Sequence, residues 1–240
     1  MKTSEFNYHL PAELIAQTPI EPRDAARLLQ LDRSSGAIGH FHFYDLPDLL
    51  RPGDLLVANE SRVIPARIFA HKAGTGGAVE ILLLRRVDEV TWQALVRSHR
   101  VHVGTQIEIR PDLAAEVIDI SPSGERLLRF NHPIDARLNE LGVMPLPPYI
   151  HAPLRDPERY QTIYSHTLGS AAAPTAGLHF TPRLLAQVRD RDIRVIYVTL
   201  HVGLDTFKPV ETEDVEQHHI HTEYMEVTEE VAAQIRTARA

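Results

Sequence analysis

Cysteine is absent from the chain. That excludes disulfides, thiolate metal centres and cysteine nucleophiles, and leaves His, Asp, Glu, Ser, Thr, Tyr and Lys to carry any chemistry. Long apolar runs are absent too. Nothing approaches the roughly 18 uninterrupted apolar residues of a membrane span, and MKTSEFNYHL lacks the apolar stretch of a secretory signal. We therefore expect no membrane association and a cytoplasmic location. An excess of positive charge is also lacking: the formal net charge is -7, which argues against a generic nucleic-acid coat. What is present suffices for a folded protein, since 240 residues at 43% hydrophobic content allow one large domain or two modest ones.

Charge is distributed unevenly. Residues 61–110 hold eight basic side chains against four acidic ones, whereas residues 205–230 hold nine acids against Lys208 alone. This asymmetry suits an RNA docking on one side only, and equally suits ordinary solvated strand faces.

Residues 1–60 read as mixed α/β: LPAELIAQ as a short helix, ARLLQLD and GAIGHFHFYDL as strands, and LLVAN as a strand after an Arg-Pro-Gly-Asp turn. From residue 62 the runs EILLLRRV, TWQALVRS, QIEIR, AAEVIDI and ERLLRF recur about ten residues apart, as in a small all-β barrel or sandwich. AGTGGAVEI matches no phosphate-binding glycine motif and reads as a hairpin loop. Five prolines between Pro145 and Pro157 mark a junction. Beyond it, Asp156-Pro157 and Thr181-Pro182 read as helix starts. IRVIYVTL reads as a strand covered on both faces, EYMEV as another strand, and VAAQIRTARA as a helix capped by Thr228. The simplest architecture is α/β: a discontinuous mixed α/β domain, residues 1–61 and 151–240, with a small all-β barrel domain inserted at 62–150.

Three loops carry candidate chemistry. AAAPTAGLHFTP ends at a helix N-terminus, where free N–H groups can meet negative charge; His179 there reads either as a packed core residue or as a working one. HVGLDTFKPV follows a strand, and ligands gather beyond the carboxyl ends of strands in α/β sheets, so His201 and Gly203 stand where a site is expected. HHIHTE holds His219, His221 and Glu223, a set that can bind metal but matches no specific ligand spacing. Arg62 and Arg67 in NESRVIPAR flank a strand start at the junction and read as phosphate contacts or as paired surface arginines.

Together the stretches YHLPAELIAQTPIEPRDAARLLQLDR, PGDLLVANESRVIPARI, TGGAVEILLLRR, PLPPYI with RYQTIY, GSAAAPTAGLHFTP, VTLHVGLDTFKPV and HHIHTEYMEV resemble the S-adenosylmethionine:tRNA ribosyltransferase-isomerase family of queuosine biosynthesis. The resemblance covers nearly the whole chain in the family's order. It implies an α/β domain with an inserted barrel, and a transferase. The enzyme moves the ribosyl moiety of S-adenosylmethionine onto 7-aminomethyl-7-deazaguanine at the tRNA wobble position, giving epoxyqueuosine, adenine and methionine. S-adenosylmethionine is then a co-substrate, no metal is needed, and tRNA is the partner; we expect a monomer. On this reading His179 is the catalytic base or acid, with Thr175 and Gly177 positioning the nucleoside. His201 with Gly203, and His221 with Glu223, contact substrate, while Arg62 and Arg67 touch tRNA phosphate. His219 stands where the family often has lysine, and NESR departs mildly from the family's pattern. The resemblance also implies a further segment of about a hundred residues; the alternative function is therefore a truncated tRNA- or nucleotide-binding fragment without turnover.

Overall fold

Alternation of apolar and polar side chains builds the middle of the molecule. In the computed structural model, which describes residues 1–203, 210, 212–218 and 223–239, the segment Ala78–Arg86 points Val79, Ile81 and Leu83 inward and its intervening residues outward. Leu113, Ala115 and Val117 do the same in Leu113–Ile120. Period-two alternation gives a sheet one apolar face, and that face closes on itself.

In chain order the strands are β1 Arg27–Leu31, β2 Ile38–His42, β3 Leu55–Asn59, β4 Ser61–Val63, β5 Arg67–Lys72, β6 Ala78–Arg86, β7 Thr91–Arg97, β8 Gln106–Arg110, β9 Leu113–Ile120, β10 Arg126–Phe130, β11 Gly142–Val143, β12 Thr167–Ser170, β13 Arg194–His201 and β14 Tyr224–Glu226. The α-helices are α1 Leu46–Leu49, α2 Leu138–Leu141, α3 Pro182–Asp190 and α4 Glu229–Arg239. Strands β5-β6-β7-β10-β9-β8 form a sheet that β8 closes by pairing back onto β5, His71 opposite Glu108 and Lys72 opposite Ile107. Closure leaves the barrel without open edges. Its interior holds Ile68, Ile81, Leu83, Ala94, Ile107, Val117 and Leu128, all fully buried, and each large apolar side chain so buried stabilises the fold by about 1.5–3 kcal/mol.

The two ends of the chain meet in smaller sheets separate from the barrel. β3 and β13 pair in parallel, Leu55 opposite Arg194 through Asn59 opposite Val198. β14 adds antiparallel to β13, and β4 pairs in parallel with β12. Every residue of β13 after Arg194 is buried or half-buried, as its apolar run predicts. The mixed α/β part with an inserted barrel is thus the observed architecture.

Two helix expectations fail. LPAELIAQ forms one 3-10 turn, Ala12–Leu14, because the segment is bounded by prolines, buries no side chain and is too short to nucleate a helix alone. Asp156-Pro157 starts only the 3-10 turn Pro157–Tyr160, although the Asp156 side chain accepts from the Glu158 N–H as a cap should. Tertiary bonding stops it: Gln161 is buried and extended, its Oε1 accepting from the Val63 N–H at 3.0 Å and its Nε2 donating to the Val63 carbonyl at 2.9 Å. Thr181-Pro182, by contrast, opens α3, with Thr181 Oγ1 accepting from the Leu184 N–H at 3.1 Å and Leu184, Leu185 and Val188 turned inward.

Candidate active site

The carboxyl ends of the parallel strands β3 and β13 lie at one edge, where a polar cluster forms. Asn59 Oδ1 accepts from the backbone N–H groups of Ser61 (2.9 Å) and Leu200 (3.1 Å), and its Nδ2 donates to the Leu200 carbonyl at 2.8 Å. Ser61 Oγ donates to the same carbonyl at 2.8 Å and stands 3.2 Å from His201 Nδ1. A serine hydroxyl has one proton. With that proton given to Leu200, His201 Nδ1 is the donor to Ser61, and Nε2 is left as the acceptor nitrogen.

The His201 ring is half-buried and stacks on Tyr224 with centroids 5.4 Å apart. Burial lowers its pKa below the ordinary imidazole value, and the nearby Glu226 carboxylate opposes that shift. Gly169, at φ +142°, comes so close that a Cβ there would lie 2.6 Å from His201 Nε2. Beside it, Ser170 Oγ donates to the Ala172 carbonyl at 2.7 Å and accepts from the Val202 N–H at 2.9 Å. This bond ties the start of the 171–182 loop to the end of β13.

That loop runs from the buried Ala171–Ala173 into the 3-10 turn Thr175–His179. Thr175 is exposed. Gly177 is buried, its N–H donating to Pro174 at 2.9 Å. A Cβ on Gly177 would lie 2.3 Å from Tyr164 Oη, so glycine here makes room for the tyrosine. Burial pushes the Tyr164 phenol up to about 12, with Tyr197 adding to the effect, which keeps it a neutral hydroxyl. His179 is half-buried, packed 5.3 Å from the Phe43 ring, with Nδ1 3.4 Å from the Arg23 carbonyl. Its Nε2 has no hydrogen-bond partner among the described residues. Both candidate imidazoles are therefore held at Nδ1 and present Nε2.

Beneath His179 sits a residue that sequence reasoning missed. Asp24 is 1% exposed, and its Oδ2 accepts from Thr181 Oγ1 at 2.9 Å and Arg183 at 2.8 Å. This places a carboxylate at the N-terminus of α3, where the helix dipole favours negative charge. No spacing in EPRDAA announces it. Asn59, Ser61 and Gly169 were missed for the same reason, being contributed by segments more than a hundred positions apart.

Thr175, Gly177 and His179 share one turn, and His201, Gly203 and Glu223 come together around the end of β13, where the Gly203 N–H donates to Glu223 Oε1 at 2.8 Å. His221 and His219 lie outside the described residues. Among the described residues no three His, Asp or Glu side chains converge as a metal site. Arg62 and Arg67 are on different strands, and each has a carboxylate already. Arg62 pairs with Glu158 and donates to Ser165 Oγ at 2.9 Å, and Arg67 Nε is 3.1 Å from Glu80 Oε1 as an ion pair rather than an aligned hydrogen bond. A separate open groove of about 620 Å³ is lined, among the described residues, by Thr3, Ser4, Phe6, Asn7, Val210 and Val215, none of them titratable. No helix among the described residues is long and apolar enough to cross a membrane.

A family model described as "Queuosine biosynthesis protein" matches residues 3–240. The S-adenosylmethionine:tRNA ribosyltransferase-isomerase of Moorella thermoacetica is 52% identical over 245 residues, covering 100% of this chain and 72% of that protein. The protein of the same name from Clostridioides difficile is 51% identical over 243 residues, covering 100% and 71%. A crystal structure of S-adenosylmethionine tRNA ribosyltransferase from Thermotoga maritima is 35% identical with a TM-score of 0.42, covering 98% of this chain and 65% of that one. Matched from residue 3 to residue 240 by one family model and sharing about half its residues with curated members along its full length, the chain belongs to the queuosine biosynthesis family of enzymes.

Proposed function

We propose that the chain transfers and isomerises the ribosyl moiety of S-adenosylmethionine onto 7-aminomethyl-7-deazaguanine at the tRNA wobble position in the cytoplasm, giving epoxyqueuosine, adenine and methionine. The observation that carries this reading is the pair of half-buried imidazoles, His179 and His201, each held at Nδ1 with Nε2 presented, on a chain matched by this family from end to end. The reaction needs such groups. A sulfonium acidifies the C5′ protons beside it, so a neutral imidazole nitrogen can take one, and a protonated group can deliver a proton to the departing adenine. Burial favours the neutral form of His201. His179 is the first-ranked acid–base group, because it lies in the loop that ends at the N-terminus of α3. Thr175, exposed on the same turn, offers a hydroxyl to the nucleoside, and Gly203 with Glu223 flanks His201 for substrate contact. Arg62 and Arg67 reach RNA phosphate only by exchanging Glu158 and Glu80 for it.

The test supplies S-adenosylmethionine and tRNA bearing the aminomethyl-deazaguanine base, and follows adenine and the modified nucleoside by mass spectrometry. Both products are expected from the wild-type chain, and His179→Ala is expected to lose about 10²–10⁴-fold in turnover, the usual contribution of a positioned acid or base. Near-normal turnover by His179→Ala overturns its role. tRNA binding without adenine release overturns the transferase reading in favour of a binding module.

A further inference from the structure

The arginines of the barrel divide into two kinds. Arg62, Arg67, Arg86, Arg129 and Arg137 each have a carboxylate within ion-pair distance. Arg85, Arg97, Arg100, Arg110 and Arg126 have none among the described residues; Arg110 and Arg126 donate to backbone carbonyls instead, and Arg97 and Arg100 stand three positions apart. Arg97 is the last residue of β7, and Arg100 lies in the connection from β7 to β8, which also carries His99 and His102; all four side chains are exposed, and no acidic residue occurs from Thr91 to Thr105. The nearest acids by register are Glu80, opposite Arg97, and Glu108, opposite His71. Glu80 is committed to Arg67.

This connection is anchored along its length. Val101 is 6% exposed and belongs to the barrel core. Lys72 Nζ donates to the His99 carbonyl and to the Arg100 carbonyl at 2.9 Å. Arg100 takes φ +52°, left-handed backbone that non-glycine residues seldom adopt. Ser98 Oγ donates to the Ala78 carbonyl at 2.7 Å, the His102 N–H donates to Thr105 Oγ1 at 3.0 Å, and the Gly104 N–H donates to the Val117 carbonyl at 2.7 Å. The result is a braced loop whose carbonyls at His99 and Arg100 accept from a lysine, and whose outward side chains are cationic or cationisable without ion-paired carboxylates among the described residues. On a chain of net charge -7, this local concentration has the form of a polyanion contact: exposed arginines already desolvated by no partner exchange only small ions when phosphate arrives.

We propose that the β7–β8 loop, through Arg97, Arg100, His99 and His102, is the surface on which the phosphate backbone of the tRNA substrate docks. This rests on the reading that tRNA is the substrate. Phosphate contacts position an RNA without reading its bases, which fits a loop without Phe, Tyr or Trp.

The experiment measures tRNA binding as a function of salt for the wild type, for the double variant Arg97→Gln/Arg100→Gln, and for Arg85→Gln, an exposed arginine at the opposite end of the barrel. The double variant is expected to lower the slope of log Kobs against log[salt] by about two and to weaken binding at least tenfold, since each lost phosphate contact removes about one unit of slope. Arg85→Gln is expected to leave both unchanged, together with the rate of adenine release at saturating tRNA. A double variant that melts like the wild type and keeps the wild-type slope overturns the proposal, as does an equal loss from Arg85→Gln, which would mean diffuse attraction. If the double variant fails to fold, Arg97→Gln alone is expected to lower the slope by about one, and Arg100→Lys, which keeps the charge, to leave it at the wild-type value; a wild-type slope in Arg97→Gln overturns the proposal. A wild-type chain that neither binds tRNA nor releases adenine removes the substrate reading instead, whatever the loop variants do.

Discussion

Replacing Gly169 by alanine is expected to disturb His201 more than any other single methyl group added to the chain. At φ +142° the backbone is in territory kept almost entirely to glycine, and an alanine there costs about 1–3 kcal/mol before any contact is counted. The new methyl would then meet His201 Nε2 at 2.6 Å, Cε1 at 2.9 Å and Cδ2 at 3.0 Å. The ring escapes only by giving up its bond with Ser61, about 0.5–1.5 kcal/mol, and its stacking on Tyr224, about 0.5–1.5 kcal/mol. The total is about 2–6 kcal/mol, and at about 2–4 °C per kcal/mol for a chain of this size Tm should fall by roughly 4–24 °C. Denaturant unfolding followed by circular dichroism measures the loss, and a double-mutant cycle isolates the contact. In a His201→Ala background the collision has no ring to strike, so Gly169→Ala should cost only the backbone part, leaving a coupling of about 1–3 kcal/mol. An equal cost in both backgrounds refutes the close approach. A normal rate of adenine release by Gly169→Ala refutes the claim that His201 must sit where Ser61 holds it.

Asp24→Ala should cost about 2–4 kcal/mol: the charge-assisted bond from Thr181 contributes about 1.5–3, the favourable placement at the start of α3 about 0.3–1, and the largely exposed Arg183 little. Urea unfolding checks it, and a loss under about 0.5 kcal/mol, the range of ordinary surface substitutions, rules out a structural role for the carboxylate. For His201 the sign of the pH dependence follows from burial. Its folded pKa is below 6.5, so the unfolded chain binds more protons as pH falls through and below that value. Stability contributed by the neutral ring is full above 6.5 and is lost toward the folded pKa. Unfolding free energy measured against pH should therefore fall more steeply in the wild type than in His201→Gln, and parallel curves contradict the shift.

The strands of the barrel were legible because a closed sheet with one buried face imposes period two on β6 and β9 themselves. The start of α3 was legible because Thr181 and Pro182 act locally, within one turn of backbone. At Pro157–Tyr160 the same local signal misled, since the buried amide of Gln161 pairs with Val63 nearly a hundred residues away and holds the chain extended. The two arginines singled out in NESRVIPAR were visible as charges, but not the carboxylates of Glu158 and Glu80 that occupy them.

The sequence by itself determined the barrel, the α/β ends that flank it, and the loops that carry His179 and His201, because hydrophobic period, turn residues and caps act between near neighbours. Only the tertiary structure decided how those histidines are held. Ser61 reaches His201 because parallel pairing brings β3 and β13 to a common edge, and Gly169 reaches it because β12 lies alongside. Asp24 reaches α3 because an N-terminal turn packs beneath a loop more than 150 positions later. Hydrogen-bond partners of that kind leave no spacing in the chain; they are set by which surfaces come together once the apolar faces are buried.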